Sequence, residues 1–257
     1  MSLSNFGNMQ ILPIHTPVLH AGDDIASALT SAFSFKDNDI VVISSKAIAT
    51  VEGAAVDLSS ISPSADAETW AERCGGSPAL RQVILDETLR MNGRISVSTI
   101  DVMLTELKPD GMTEGSILVP NAGIDQSNID EGFAVGWPLD PIASIKDLYE
   151  ALGGKVGIII SDSGSRPRRL GVTAFALTVC GFDPIRSLKG SPDLFGKDLR
   201  ISEEAVADQL ATTANFLMGN SDKSMPAAVI RDHGVAMSDF CGWVPGIDKE
   251  RDMFYTP

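Results

Sequence analysis

The chain is poor in the residues that most often build thiolate, disulfide or histidine-centred sites. It has three cysteines, Cys74, Cys180 and Cys241, and three histidines among 257 residues. The cysteines are widely spaced, odd in number and form no C-x-x-C pair, so neither a zinc cluster nor a disulfide framework is expected. Cys180 sits in an apolar run and reads as core. His15, His20 and His233 lack H-E-x-x-H spacing and read as structural or surface histidines. Positive charge is also scarce, with 20 Lys+Arg against 34 Asp+Glu and a net charge of −14. That balance speaks against binding nucleic acid or an anionic membrane, since both need a positive field. No apolar run approaches the ~18 residues of a membrane span, and no basic segment leads into an apolar one at the N-terminus. A cytoplasmic protein is expected. No G-x-G-x-x-G follows a strand. Five residues separate Gly190 from Gly196, and Lys197 is followed by Asp198, so the phosphate loop G-x-x-x-x-G-K-S/T is absent too.

What is present is a mixture of buried strands and amphipathic helices, on a chain long enough for one large domain or two intertwined lobes. Met9 to Pro13 reads as a first strand and Ile25 to Phe33 as a helix. Asp39 to Lys46 contains four consecutive apolar β-formers and reads as an interior strand, with Ser44, Ser45 and Lys46 at its carboxyl end. Helices are expected over Ala65 to Cys74 and Ala79 to Leu89, followed by a β-rich stretch from Ile95 to Leu107. Ile117 to Val119 reads as a buried strand and Phe133 to Trp137 as another. Ala143 to Leu152 is helical, Val156 to Ile160 is a strongly buried strand, and Leu170 to Phe182 is apolar and rich in small residues. Ser202-Glu203-Glu204 has the hydroxyl cap and early acids of a helix start, with the helix running to Met218. Ala227 to Ile230 reads as the last strand.

Two stretches gather chemistry. Asn121 to Asn128, leaving the Ile117–Val119 strand, offers a carboxylate (Asp125), two amides and the Ser127 hydroxyl. Such a set can hold a hard cation beside a sugar or phosphate, or it can be a turn whose side chains cap their own backbone. The second follows Ile160. Asp162 closes a strand, Ser163-Gly164-Ser165 can turn backbone N–H groups toward an anion, and Arg166, Arg168 and Arg169 concentrate positive charge on an acidic chain. The competing reading is a surface salt-bridge cluster. If their strands are neighbours, Asp125 and Asp162 can share one cation, and oxygen ligands suit Mg2+ or Mn2+.

Taken together these stretches resemble the coenzyme F-420-0:L-glutamate ligase (gamma-glutamyl ligase) family. The resemblance rests on Val41-Val42-Ile43-Ser44-Ser45-Lys46 with Val51-Glu52-Gly53, on Asn121 to Asn128, and on Ile160-Ser161-Asp162 through Arg166-Pro167. It continues through Asp193-Leu194-Phe195-Gly196, Ala205 to Asp208, Leu217-Met218-Gly219 and Pro226 to Arg231, covering about residues 10–232. It implies an α+β fold over a single ligase-like domain, residues 1–257, with mixed sheets packed with helices in an intertwined, two-lobed homodimer. It also implies GTP and a divalent metal, and an amide bond formed between L-glutamate and a deazaflavin-type or other carboxylate acceptor through an acyl phosphate.

Carried over by motif, Asp125 and Asp162 would hold the metal, with Ser163 and Asn220 as further ligands where the family has threonine and glutamine. Arg166 would join the two aspartates in catalysis. Ser45, Lys46, Thr50, Asn128 and the segment Met218 to Met225, which opens with Met218, Gly219, Asn220 and Ser221, would contact nucleotide. Leu12-Pro13-Ile14-His15 is a further nucleotide candidate. The chain departs from the family at Thr50, which replaces a lysine, and at Ser163-Gly164-Ser165 within Asp-Thr-Phe-Gly-Arg-Pro. The Asp-Pro-Asp element appears as Asp140-Pro141-Ile142. Two other readings stay open: a nucleotide- or metal-binding sensor without turnover, and a metal-dependent phosphate hydrolase.

Overall fold

The computed structural model describes residues 8–254. Its centre is a six-stranded sheet made of β1 (Gln10–Ile14), β2 (Ile40–Ser44), β8 (Gly157–Ser165), β9 (Val172–Phe182), β12 (Ala227–Arg231) and β13 (Met237–Trp243). Their spatial order is β1-β12-β2-β8-β9-β13. Only β2 and β8 run parallel, in a register that sets Ser44 beside Ser161. A parallel pair needs a crossover connection. Here it is the whole stretch between them, which holds the helices α2 (Ser45–Val51), α3 (Ala65–Cys74), α4 (Pro78–Arg90) and α5 (Pro141–Ala151). The same stretch carries a hairpin sheet of β4 (Arg94–Thr99), β5 (Val102–Leu107) and β6 (Ile117–Pro120), and the short pair β3 (Val56–Asp57) with β7 (Phe133–Ala134). Helix α1 (Ile25–Ala32) lies earlier, between β1 and β2.

The continuous apolar run of β2 reflects burial on both faces. Val41 and Ile43 join Ile14, Ile158 and Ile160 in one core, while Ile40 and Val42 join Ile159 in the other. The second core is closed by α6 (Val206–Met218), whose Ala207, Ala211 and Ala214 are fully buried and admit the sheet closely. Each such buried Val or Ile contributes roughly 1.5–3 kcal/mol relative to exposure. The expected α+β architecture is therefore present. Asp140 caps α5 by accepting from the N–H groups of Ile142 and Ala143, and Pro141 takes the first helical position. The Asp-Pro element here starts a helix.

Several expectations need correction. Ser202-Glu203-Glu204 does not start a helix: Glu203–Glu204 is strand β11, paired with β10 (Arg186–Ser187). Cross-strand ion pairs, Arg186 with Glu204 and Lys189 with Glu203, use the acids that resembled a helix's first turn. Helix α6 begins only at Val206. Ala227 to Ile230 is not the last strand, because β13 pairs with β9 beyond it. That register puts Cys241 opposite Cys180, and the two form a disulfide across a sequence separation of 61, which spacing alone did not reveal. Ile117 to Val119 is less buried than its composition suggests. Val119 is buried but Leu118 is exposed, since β6 edges the small sheet. Finally, β8 does not end at Asp162. It continues to Ser165 as a hairpin arm of β9, with Ser163 opposite Ala174 and Gly164 opposite Thr173. Ser163-Gly164-Ser165 is thus extended ladder backbone and forms no anion-binding nest. Among the described residues no helix is long and apolar enough to cross a membrane.

Candidate functional site

The carboxyl ends of β2 and β8 open into a cleft of about 900 Å³. Parallel strand ends are the usual ligand position in α/β sheets, because the chain leaves them in loops that diverge. Four other segments complete the walls: Thr16 to Ala21 after β1, the start of α2, the Asp125–Asp130 loop, and the end of α6 with the turn to Pro226.

The Asp125 loop is built by backbone that reverses sharply after β6. Asn121, Ala122 and Gly123 have φ of 52°, 53° and 76° in succession. The Asn121 amide stabilises this turn, its Oδ1 accepting from Met103 N–H at 2.9 Å and from Arg81 Nη1 at 3.4 Å. Arg81 itself is buried and also donates to the carbonyls of Gly75 and Cys74. Asn121 is therefore a structural residue that ties the loop to the α3–α4 turn. Asp125 Oδ1 accepts from the N–H groups of Gln126 (2.7 Å) and Ser127 (2.9 Å). Its Oδ2 accepts from Ser127 Oγ and from Lys46 Nζ, the latter at 2.5 Å. So the self-capping turn and the binding loop are the same object.

Lys46, in the first turn of α2, spends its remaining donors on the carbonyl and hydroxyl of Ser127, at 2.7 and 2.8 Å. Asp162 enters from β8, partly buried. Its Oδ2 accepts from Trp137 Nε1 at 2.7 Å and its Oδ1 from Ser163 N–H at 2.7 Å. Burial pushes the Asp162 carboxyl above its ordinary value, the charge of Asp125 adds to that, and the Trp137 and Ser163 bonds and Lys46 only partly offset it. Burial also works to raise Asp125, but the bonds from Lys46 and Ser127 outweigh it and the net shift is downward. Two neighbouring carboxyl groups thus sit in environments that push their titration apart.

Asp125 and Asp162 do meet at one cleft, but Asp125 arrives on the loop after β6 of the small sheet and Asp162 on β8 of the large one, so they are not paired across a single sheet. Ser163, Asn128 and Asn220 add hydroxyl and amide oxygens to the same walls. Among the described residues no group of three or more His, Cys, Asp or Glu is placed to hold a metal. A hard cation here would rest on two carboxylates and complete its shell with water, hydroxyl or phosphate oxygens. That is the common pattern for Mg2+, so the donor set fits.

Of the residues expected at the site, Lys46, Thr50, Asp125, Asn128, Asp162, Ser163, Met218, Gly219, Asn220 and Ser221 all line this cleft. The Asn220 Oδ1 accepts from Asn215 Nδ2 at 3.0 Å. Others lie elsewhere. Ser45 is buried in the first turn of α2, and its neighbour Ser44 takes the place at the wall. Leu12, Pro13, Ile14 and His15 are not in the lining, because β1 pairs with β12 up to Ile14 and the chain reaches the cleft only from Thr16. Arg166 stands exposed on the β8–β9 hairpin, donating from Nε to Thr173 Oγ1 at 3.1 Å, with its guanidinium 5.8 Å from the centre of the Phe175 ring. It is not among the residues that line the cleft. Lys223, within the expected Met218–Met225 segment, also lines the cleft, whereas sequence reasoning missed Trp137 and the Thr16–Ala21 segment. For Trp137 the available signal was that a buried indole N–H needs an acceptor.

Comparison with known proteins identifies the family. The sequence pattern of the family described as F420-0:Gamma-glutamyl ligase matches residues 13–232. The Coenzyme F420:L-glutamate ligase of Methanothermobacter thermautotrophicus is 38% identical over 226 residues, covering 84% of this chain and 86% of that protein. The protein of the same name from Methanocaldococcus jannaschii is 34% identical over 251 residues, 96% of each chain. That from Archaeoglobus fulgidus is 34% identical over 233 residues, 89% of each. The matched span contains both aspartates, Lys46 and the end of α6, and on this ground the chain belongs to the F420-0:gamma-glutamyl ligase family.

Proposed function

We propose that the chain is a GTP- and divalent-metal-dependent gamma-glutamyl ligase that joins L-glutamate to a carboxylate of coenzyme F420-0 or a related acceptor. The observation that carries this reading is the convergence of Asp125, Asp162 and Lys46 on one cleft within the matched span. In the reaction, an acceptor carboxylate oxygen attacks the γ-phosphorus of GTP and GDP departs, leaving an acyl phosphate. The glutamate amine then attacks the acyl carbon, phosphate leaves, and the amine proton passes to solvent, completing the amide. Mg2+ or Mn2+, held by Asp125 and Asp162 with Ser163 and Asn220 nearby, would supply neutralisation of phosphate charge. Lys46 offers its ammonium to a phosphate oxygen, and Asn128 and the Met218–Ser221 segment orient the nucleotide. Thr50, a neutral hydroxyl in the cleft, contributes a hydrogen bond where a lysine would contribute charge. An acyl phosphate must be shielded from water, so a loop or lobe closing over the cleft is expected during turnover.

The proposed assembly is a homodimer. Leu170 on the β8–β9 hairpin, Leu194 and Phe195 in the following loop, and Phe216 on α6 are all strongly exposed apolar side chains, and a second copy would cover them. Arg166 on the same hairpin would then serve the assembled protein.

The test is incubation with GTP, Mn2+, L-glutamate and F420-0, following both phosphate release and amide product. Glutamylated product coupled to phosphate supports the ligase. Phosphate released without acceptor would replace it with the hydrolase, and tight GTP binding without turnover would replace it with the sensor.

A further inference from the structure

We infer that Trp137 is a positioning residue, holding the Asp162 carboxylate and the Asp125 loop in one fixed geometry toward a divalent cation. The inference rests on the metal reading above and adds to it a residue outside the ligand set.

The indole joins both halves of the site. On one side its Nε1 donates to Asp162 Oδ2 at 2.7 Å. On the other, the turn leading to Asp125 is seated against the same nitrogen: a Cβ built on Gly123 would lie 2.6 Å from Trp137 Nε1. Gly123 also has φ of 76°, so the turn needs glycine both for its backbone and for this close approach. The indole cannot drift. Trp137 is 2% exposed, and the ring of Trp243 lies 6.1 Å away, itself anchored by its own Nε1 donating to Asp110 O at 3.0 Å.

The choice of a neutral donor has a chemical consequence. Each Asp162 oxygen receives one N–H, from Trp137 or from Ser163, and the remaining lone pairs are free for other partners. A lysine or arginine at the Trp137 position would orient the carboxylate equally well but would also cancel its charge. An indole fixes the direction and leaves the negative charge for a cation. Partners that orient a ligating group in this way typically carry about 10- to 100-fold in metal affinity.

The alternative is that Trp137 only fills the core, in which case its loss affects stability alone. Mn2+ affinity of the folded full-length protein, read from the electron paramagnetic resonance signal of free Mn2+, separates the two. Trp137→Phe is expected to bind Mn2+ at least about tenfold more weakly than wild type. Leu29→Ala, which opens a cavity in the same core from α1 and leaves both indoles in place, is expected to match wild type. Equal affinity in wild type and Trp137→Phe overturns the inference while leaving the metal reading intact. A wild type that binds no Mn2+ overturns both. If Trp137→Phe does not fold, Gly123→Ala displaces the indole without removing it, and unchanged Mn2+ affinity in that folded variant overturns the inference equally.

Discussion

Lys46 Nζ lies 2.5 Å from Asp125 Oδ2, so the cation of one nucleotide-binding candidate is held by the carboxylate of a metal-binding candidate. The side chains are 24% and 50% exposed, which makes this an ion pair open to water. Pairs of that kind stabilise a fold by about 0–1 kcal/mol. A charged hydrogen bond to a phosphate oxygen is worth more, about 1.5–3 kcal/mol, or roughly 10- to 100-fold in affinity. Lys46→Met is therefore expected to leave the denaturant midpoint almost unchanged and to weaken GTP binding by at least about tenfold. Calorimetric titration of GTP in Mn2+ checks this. Unaltered GTP affinity would reduce Lys46 to a support for the Asp125 loop.

A contrasting pair lies at the opposite end of β2. Asp39 is 1% exposed and accepts from Arg231 at both oxygens, at 2.7 and 2.6 Å, while its Oδ2 also takes Lys36 N–H at 2.8 Å. Removing one partner of a buried pair strands the other charge, at a cost of about 3–5 kcal/mol. Asp39→Ala is expected to lower the unfolding free energy by about that amount, measured by urea titration. A loss under about 1 kcal/mol would mean that Arg231 finds solvent in the variant.

Asp208 gives a pH dependence of known sign. It accepts from Ala176 N–H at 2.9 Å beside the irregularity in the β8–β9 register at Ile160/Ser161, next to the cleft wall. Burial raises its carboxyl above the ordinary 3.8, more than the Ala176 bond and the charge of Arg166 lower it. Between 3.8 and the raised folded value, the native state keeps a proton that the unfolded chain has lost. Stability from this group is complete below 3.8 and falls as pH rises through the folded value. Asp208→Asn keeps an oxygen for Ala176 N–H and cannot ionise. Its denaturant midpoint should gain on wild type as pH rises through that window, and a difference that stays flat with pH would refute the argument.

How far the sequence exposed this architecture depended on whether burial left a periodic or continuous apolar trace. β2 and the first half of β8 are apolar on both faces and were plain. The second half of β8, Ser161 to Ser165, is polar because it forms a cleft wall and a hairpin arm, and that polarity imitates a loop. β13 is only partly buried along most of its length, so no continuous apolar run marks it. Asp125, Asp162 and Lys46 were legible because their chemistry is local to strand ends. The contacts of Trp137 and Arg81 were not, since each joins segments that are distant in sequence, and only the folded chain brings the indole to Asp162 or the guanidinium to Asn121.

The exposed apolar residues supply the last test. Leu194 and Phe195 are 99% and 95% exposed in the turn where Asp193 Oδ1 accepts from the N–H groups of Phe195 and Lys197. A turn ordered by its own carboxylate presents those side chains outward at little further entropic cost, which suits a contact surface better than a collapsed loop would. Phe195→Asp would place a charge at the centre of that surface without disturbing the chain's own core, because the side chain is exposed. The variant is expected to keep its secondary structure by circular dichroism and to sediment as a monomer at concentrations where the proposed wild-type dimer is expected to persist. If it also loses ligase turnover, then the second copy completes the site, and Arg166, exposed on the neighbouring hairpin, becomes the first side chain to test for action across that interface. A Phe195→Asp protein that remains dimeric would move the interface away from this turn.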